Sequence, residues 1–162
     1  LRLSRRLDLG RLRGEISLGI LAFIFGMLIV VQSLHDGGVT ARLGEFLASA
    51  GSSSPAATIV VTTVGTALGS NLINNLPMAL LMVPTLHGVT SAIRPDMIYS
   101  TILGCDLGPN LTHLGSLATF IWLFFLRRRG LQVSAWDYFK LGAVVTPVLL
   151  ASATLGLWVT AG

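Results

Sequence analysis

With 162 residues, 52% of them hydrophobic and only 11% charged, the chain is far too apolar for a soluble domain with polar loops. Its mean hydropathy of +0.77 points to an all-α, polytopic membrane protein. The net charge of +4 comes without a basic patch interleaved with aromatics, so it speaks to membrane topology and not to nucleic acid. One cysteine, Cys105, excludes a disulfide framework, and no CxxC or Cys/His metal spacing occurs, so no metal or other cofactor is expected.

The first fifteen residues form a basic segment with Arg2, Arg5, Arg6, Arg11 and Arg13. There is no initiator Met and no cleavable signal pattern, which suggests a piece of a longer chain. Residues 16–34 carry no charge, and nineteen residues rise about 28 Å as a helix, enough to cross a bilayer core. His35-Asp36-Gly37-Gly38 ends this span with turn chemistry. Residues 39–50 are too short to span. Val39, Leu43, Phe46, Leu47 and Ala50 share one helical face, with Arg42 and Glu45 off it, as in an interfacial amphipathic helix or a short loop helix.

Residues 55–87 read as a re-entrant hairpin. Ser54 and Pro55 supply a cap and a first-turn proline. Two apolar arms, 56–68 and 78–86, flank the polar stretch Gly69-Ser70-Asn71-Leu72-Ile73-Asn74-Asn75-Leu76-Pro77. Neither arm has the roughly 20 residues of a full span; the rival is one long span with a polar kink. An exposed connection, 89–96, leads to a broken transmembrane helix over 97–126. Its interruption, Gly104-Cys105-Asp106-Leu107-Gly108-Pro109-Asn110 through Ser116, breaks the backbone ladder. Freed amides and carbonyls are tolerated at membrane depth only where buried in protein or lining a wet cavity. A loop with Trp136 and Tyr138 at an interface precedes the last span, 141–159, which contains Pro147. If the first segment is cytoplasmic, nine of the eleven basic residues lie inside and only Arg42 and Arg94 outside, which satisfies the positive-inside rule.

The candidate site residues cluster at the two interruptions. Ser70, Asn71, Asn74 and Asn75 offer donors and acceptors that replace a solute's hydration shell or coordinate a cation; the competing reading is that they satisfy the tip's own backbone. Asp106 is the only acidic residue deep in an apolar segment, and a carboxyl that takes up and releases a proton there suits proton coupling; the competing reading is a structural acceptor for loop amides. Asn110 and Thr112 are further ligand candidates, while Ser116 also fits a helix cap whose positive end faces the site. Cys105 reads as a small buried hydrophobe, since one thiol cannot chelate, and His113 is open between roles. No P-loop, GxSxG or HExxH motif occurs, so no enzyme activity is expected.

The stretches Gly69–Pro77, Gly104–Asn110 and Gly115-Ser116-Leu117-Ala118-Thr119, with a further likeness over 136–147, resemble the arsenical pump membrane protein family, bacterial arsenite and antimonite efflux permeases. The resemblance implies one repeat of an inverted-repeat ion transporter, the C-terminal half of a permease about twice this length, in the bacterial cytoplasmic membrane. It also implies a metalloid hydroxide or oxyanion as substrate, and either proton antiport or a cytosolic arsenite ATPase as the driving partner; a homodimer is a further expectation. The alternatives are a sodium/proton antiporter or carboxylate carrier of the same superfamily. A channel or structural membrane subunit is the alternative of another class.

Overall fold

The computed structural model describes residues 18–51, 53–90 and 92–161, so the basic segment and the start of the first span lie outside the described residues. Seven α-helices and one 3₁₀ turn make up the described chain, which is therefore all-helical. α1 (Leu18–Asp36) is 19 residues long. Gly38, at φ 75°, turns the chain into α2 (Val39–Ala50), and Thr40 fixes the corner by a 2.9 Å hydrogen bond with His35.

α2 does not lie alone on a surface. Thr40, Gly44 and Leu47 are buried, while Val39 and Phe46 of the expected apolar stripe are exposed. The reason is close approach: a Cβ on Gly44 would sit 3.2 Å from the Thr85 carbonyl oxygen, so this small-residue face seats against the second hairpin arm.

The two arms are α3 (Pro55–Ile73) and α4 (Asn75–His87). Ser54 caps α3 by accepting from the Ala57 amide at 3.1 Å, with Pro55 in the first turn. The expected polar interruption at residues 69–73 is helical instead. Asn71 donates to the Ala67 carbonyl one turn back, so its side chain is satisfied within the helix and does not break it. The first arm thus reaches 19 residues, and α3 and α7 (Ala135–Ala161) are both long and apolar enough to cross a membrane. Only Asn74 separates the arms.

The connection to α5 (Arg94–Leu107) is tighter than an exposed loop. Val89 is buried, and its carbonyl accepts from the Arg94 guanidinium at 2.6 Å, so the helix starts at Arg94 and not at Met97. A 3₁₀ turn (Gly108–Leu111) follows, then α6 (Leu117–Arg128), capped by Ser116. α7 begins six residues before the expected span because Ser134 caps it, accepting from the Asp137 amide at 3.0 Å.

α3 and α5 form the most intimate pair. Gly104 faces Thr66, the Thr63 carbonyl and Ala67, Gly108 faces Ala67, and Asn71 reaches Thr112, so the two helices run parallel. Added Cβ atoms would stand 2.5 Å from the Thr63 carbonyl oxygen at Gly104 and 2.5 Å from the Ala67 Cα at Gly108. Association of helices in lipid depends on such contacts between small residues, because lipid tails are as apolar as leucine. Gly104→Val is therefore expected to push α3 and α5 apart and to cost about 1–3 kcal/mol, the usual range for overpacking, read as a lower midpoint of thermal unfolding in detergent; an unchanged midpoint would refute the seam.

Leu47, Met78, Leu81, Met82 and Met97 form the core between α2, α4 and α5. Phe25, Ile29, Val144, Val148 and Leu155 point outward and are more than half exposed, an outer surface that suits lipid as its solvent.

Candidate functional site

The tip of the hairpin and the break in the second helix meet. Asn71, near the end of α3, donates to the Gly108 carbonyl at 2.8 Å as well as to Ala67. Its carboxamide oxygen accepts from the Thr112 amide at 3.0 Å and the Thr112 hydroxyl at 2.9 Å. A carboxamide has two donor hydrogens and two acceptor lone pairs, so all four are in use. The Gly108 carbonyl and the Thr112 amide are groups that the break frees, and Asn71 satisfies both.

Two further ties close the clasp. The Asn74 side chain donates to the Leu114 carbonyl at 3.1 Å, and the Asn75 amide donates to the Gly115 carbonyl at 2.8 Å. Gly115 sits here because a Cβ would be 2.6 Å from the Pro109 carbonyl oxygen and 3.0 Å from Asn71 Oδ1. Asn74 has φ 78° and ψ 153° and is the one non-glycine residue with positive φ among the described residues. That region of backbone space is almost confined to glycine, and a side chain held there costs on the order of 1–3 kcal/mol. The clasp on Leu114, with the Leu76 amide 3.4 Å from Asn74 Oδ1, holds it in place.

α7 backs the site. Gly142 lies directly against the carbonyls of Asn110 and Leu111 in the 3₁₀ turn. A cleft of about 690 Å³ between α3 and α7 starts at Asn71, Gly108 and Leu111 and runs to Ala56 and Trp158, with almost wholly apolar walls.

The eight candidate residues fall into distinct positions. Asn71, Asn74 and Thr112 are committed to the clasp. Ser116 spends its oxygen on the Ala118 amide at 3.2 Å, as a helix cap. Ser70 is fully buried in the α3–α5 seam, where its hydroxyl lies against the Cys105 thiol, itself buried as a hydrophobe would be. Asn75 is half-buried, and its carboxamide makes no hydrogen bond among the described residues. Asn110 is exposed and donates to Leu107 at 3.0 Å, which leaves its oxygen open.

Asp106 differs from expectation. It is exposed, on the outer face of α5 with Tyr99 and Ile102, and not deep in the protein. The helical period explains this: with Gly104 facing α3, a residue two positions on lies about 200° round the helix. His113 is half-buried and packs edge-on against Phe120, ring centroids 6.2 Å apart. The sequence reading missed the Gly104–Gly108 seam and the role of Gly142. The four-residue spacing of the two glycines is the signal that finds the seam. Gly142 stands alone in an apolar run and gives none.

The comparisons with known proteins agree with the family resemblance. The chain is 37% identical over 147 residues to an arsenical pump membrane protein of Escherichia coli, with 87% of this chain and 34% of the relative covered. It is likewise 37% identical to an arsenical pump membrane protein of Yersinia enterocolitica over 87% of this chain and 34% of the relative. A putative arsenical pump membrane protein of Bacillus subtilis is 30% identical over 87% of this chain and 33% of its own length. The chain thus spans about a third of the length of the curated relatives it matches, a smaller share than the half that the resemblance implies. No solved structure matches it. The arsenical pump membrane protein family model matches residues 7–160, both halves of the clasp included, and the chain belongs to that family.

Proposed function

We propose that the clasped tip and break form one solute-binding unit of a secondary transporter that exports trivalent arsenic and antimony across the bacterial cytoplasmic membrane. The observation that carries this reading is the division of labour at the clasp. Asn71, Asn74 and Ser116 spend hydrogen bonds on the protein's own backbone and Thr112 spends its hydroxyl on Asn71, with Ser70 packed beside them. Asn75, the Asn110 oxygen and Asp106 are left with capacity for a solute.

At neutral pH trivalent arsenic is a small uncharged hydroxide, so its site need not neutralise charge. A carboxamide N–H and two carbonyl-type acceptors match its hydroxyl groups, and a preformed clasp fixes their positions before the solute arrives. No thiol points at the site, which favours release over chelation. Asp106 supplies the titratable group for proton antiport. A cytosolic ATPase as alternative driver, and a homodimeric assembly, belong to the same reading of the whole permease.

Asn75→Ala in the whole permease tests the site. It removes one ligand without touching the backbone tie to Gly115, so folding is expected to survive. One or two lost hydrogen bonds at about 0.5–1.5 kcal/mol each predict a rise of roughly twofold to 150-fold in the arsenite concentration for half-maximal uptake into everted vesicles. Unchanged concentration dependence would remove Asn75 from the site.

A further inference from the structure

We propose that the corner between α6 and α7 is a seat for the phosphate headgroup of an anionic phospholipid. Three consecutive arginines, Arg127, Arg128 and Arg129, stand where α6 ends. The end of α6 has a defined local geometry. The Gly130 amide donates to the Arg127 carbonyl at 3.0 Å and the Leu131 amide to the Leu126 carbonyl at 3.0 Å, with Gly130 at φ 78°. This is the paired bonding of a glycine-terminated helix end, and it fixes where the arginines leave the backbone.

Beside it lies an open cleft of about 620 Å³ lined by Arg127, Gln132, Val133, Ser134, Ala135 and Asp137. Its polar surface exceeds its apolar surface, unlike the cleft between α3 and α7. The first turn of the 27-residue α7 forms one wall, and a helix start presents free amides and a partial positive charge.

The charges of the corner sum in favour of an anion. Asp137 is the one carboxylate in the lining, and it is already engaged by the Ser134 hydroxyl at 2.6 Å and by Lys140 at 3.6 Å. Among the described residues none of the three arginines has an ion-pair partner. Arg128 lies over the Phe124 ring, 4.7 Å from its centroid, while Arg127 lines the cleft and Arg129 follows at the helix end.

A lipid, more than a free anion, fits the surroundings. The Trp136 and Phe139 rings stack at 5.6 Å, with the Lys140 ammonium 5.6 Å from the Trp136 ring centre. Aromatic and basic side chains together mark headgroup depth. The exposed Ile121 and Phe125, which precede the arginines on α6, and Leu141 of α7 offer apolar surface for acyl chains.

The test uses the whole permease in lipid nanodiscs, with an environment-sensitive fluorophore at Leu131→Cys, an exposed residue next to the cleft, in an otherwise cysteine-free background. Brominated phosphatidylglycerol is expected to quench the label at a lower mole fraction than brominated phosphatidylcholine. Each basic residue near a membrane surface contributes about fivefold to such binding. Arg127→Gln with Arg129→Gln is therefore expected to raise the half-quenching fraction of phosphatidylglycerol by more than tenfold and to leave phosphatidylcholine unchanged. Arg127→Lys with Arg129→Lys keeps the charge and is expected to restore most of the preference, which a misfolded corner would not do. Equal quenching by the two lipids, a preference that persists in the glutamine variant, or displacement of the lipid by inorganic phosphate would each overturn the proposal.

Discussion

Asn71→Ala is expected to unfold the clasp and to leave the protein unstable in the membrane. The substitution removes four hydrogen bonds, and the larger effect lies in what it leaves behind. The Gly108 carbonyl and the Thr112 amide and hydroxyl lose their partner. A buried group left unsatisfied costs about 1–3 kcal/mol, and lipid offers no water to replace it. The Ala67 carbonyl suffers less, because as a helical carbonyl it keeps its ordinary backbone bond. The summed loss is about 3 kcal/mol or more, a large share of a typical folding free energy. Thermal unfolding of the detergent-solubilised permease, followed by aggregation onset, reads it. Asn71→Asp keeps the acceptor for Thr112 but turns a carboxylate oxygen onto the Ala67 and Gly108 carbonyls, so it is expected to be no more stable than Asn71→Ala. A variant with alanine at this position and a wild-type midpoint would show that the tip and the break do not hold each other.

The sequence showed that two breaks exist and that each needs a partner. It showed less about where each break lies. Residues 69–73 read as a turn because they are polar and contain a glycine, yet they are helical, since Asn71 bonds one turn back and Gly69 lets Met78 pack against the α3 backbone. The chain departs from the helix at Asn74 alone. Composition cannot separate a polar residue that ends a helix from one that is satisfied within it. The same limit applies to function: both kinds of asparagine look alike in sequence, and only the geometry divides Asn71, which binds the protein, from Asn75, whose carboxamide is open.

Helix starts and stops were better marked. The Ser54–Pro55 start and the Ser116 cap follow from local hydrogen bonding that any sequence carries with it. The early start of α5 has a local cause that the sequence reading passed over: the Arg94 guanidinium reaches back five residues to Val89, and a proline and Asp96 stand in the first turn. Parallel packing of α3 on α5 was encoded in Gly104 and Gly108, and the same pair fixes the direction of Asp106.

Asp106→Asn is expected to abolish proton-driven arsenite uptake into everted vesicles while leaving insertion and folding intact. The hypothesis rests on position and chemistry together. Asp106 has no hydrogen bond or ion pair among the described residues and is exposed on α5. Its neighbours on that face, Tyr99 and Ile102, are large and exposed as well. A carboxylate turned to lipid costs roughly 2.5–3.5 kcal/mol on insertion scales, so this face must meet a wet cavity or another part of the assembly. Either setting gives a carboxyl what antiport demands: access to protons on one side and a change of surroundings as the transporter moves. Asn keeps the size and a hydrogen-bonding oxygen but cannot titrate, and because Asp106 holds no structural bond its loss is expected to leave folding stability within about 0.5 kcal/mol of wild type, the usual range for surface substitutions. That distinguishes it from Asn71→Ala, which acts through stability. Asp106→Glu retains the titrating group at a shifted position and is expected to keep part of the activity with an altered pH profile. The measurement is arsenite uptake against an imposed pH gradient, paired with arsenite binding in the absence of a gradient. Lost binding together with lost transport would place Asp106 among the ligands; retained binding with lost coupling would confine it to the proton. Wild-type uptake driven by the gradient in the asparagine variant would remove Asp106 from the mechanism and place the proton site elsewhere in the permease.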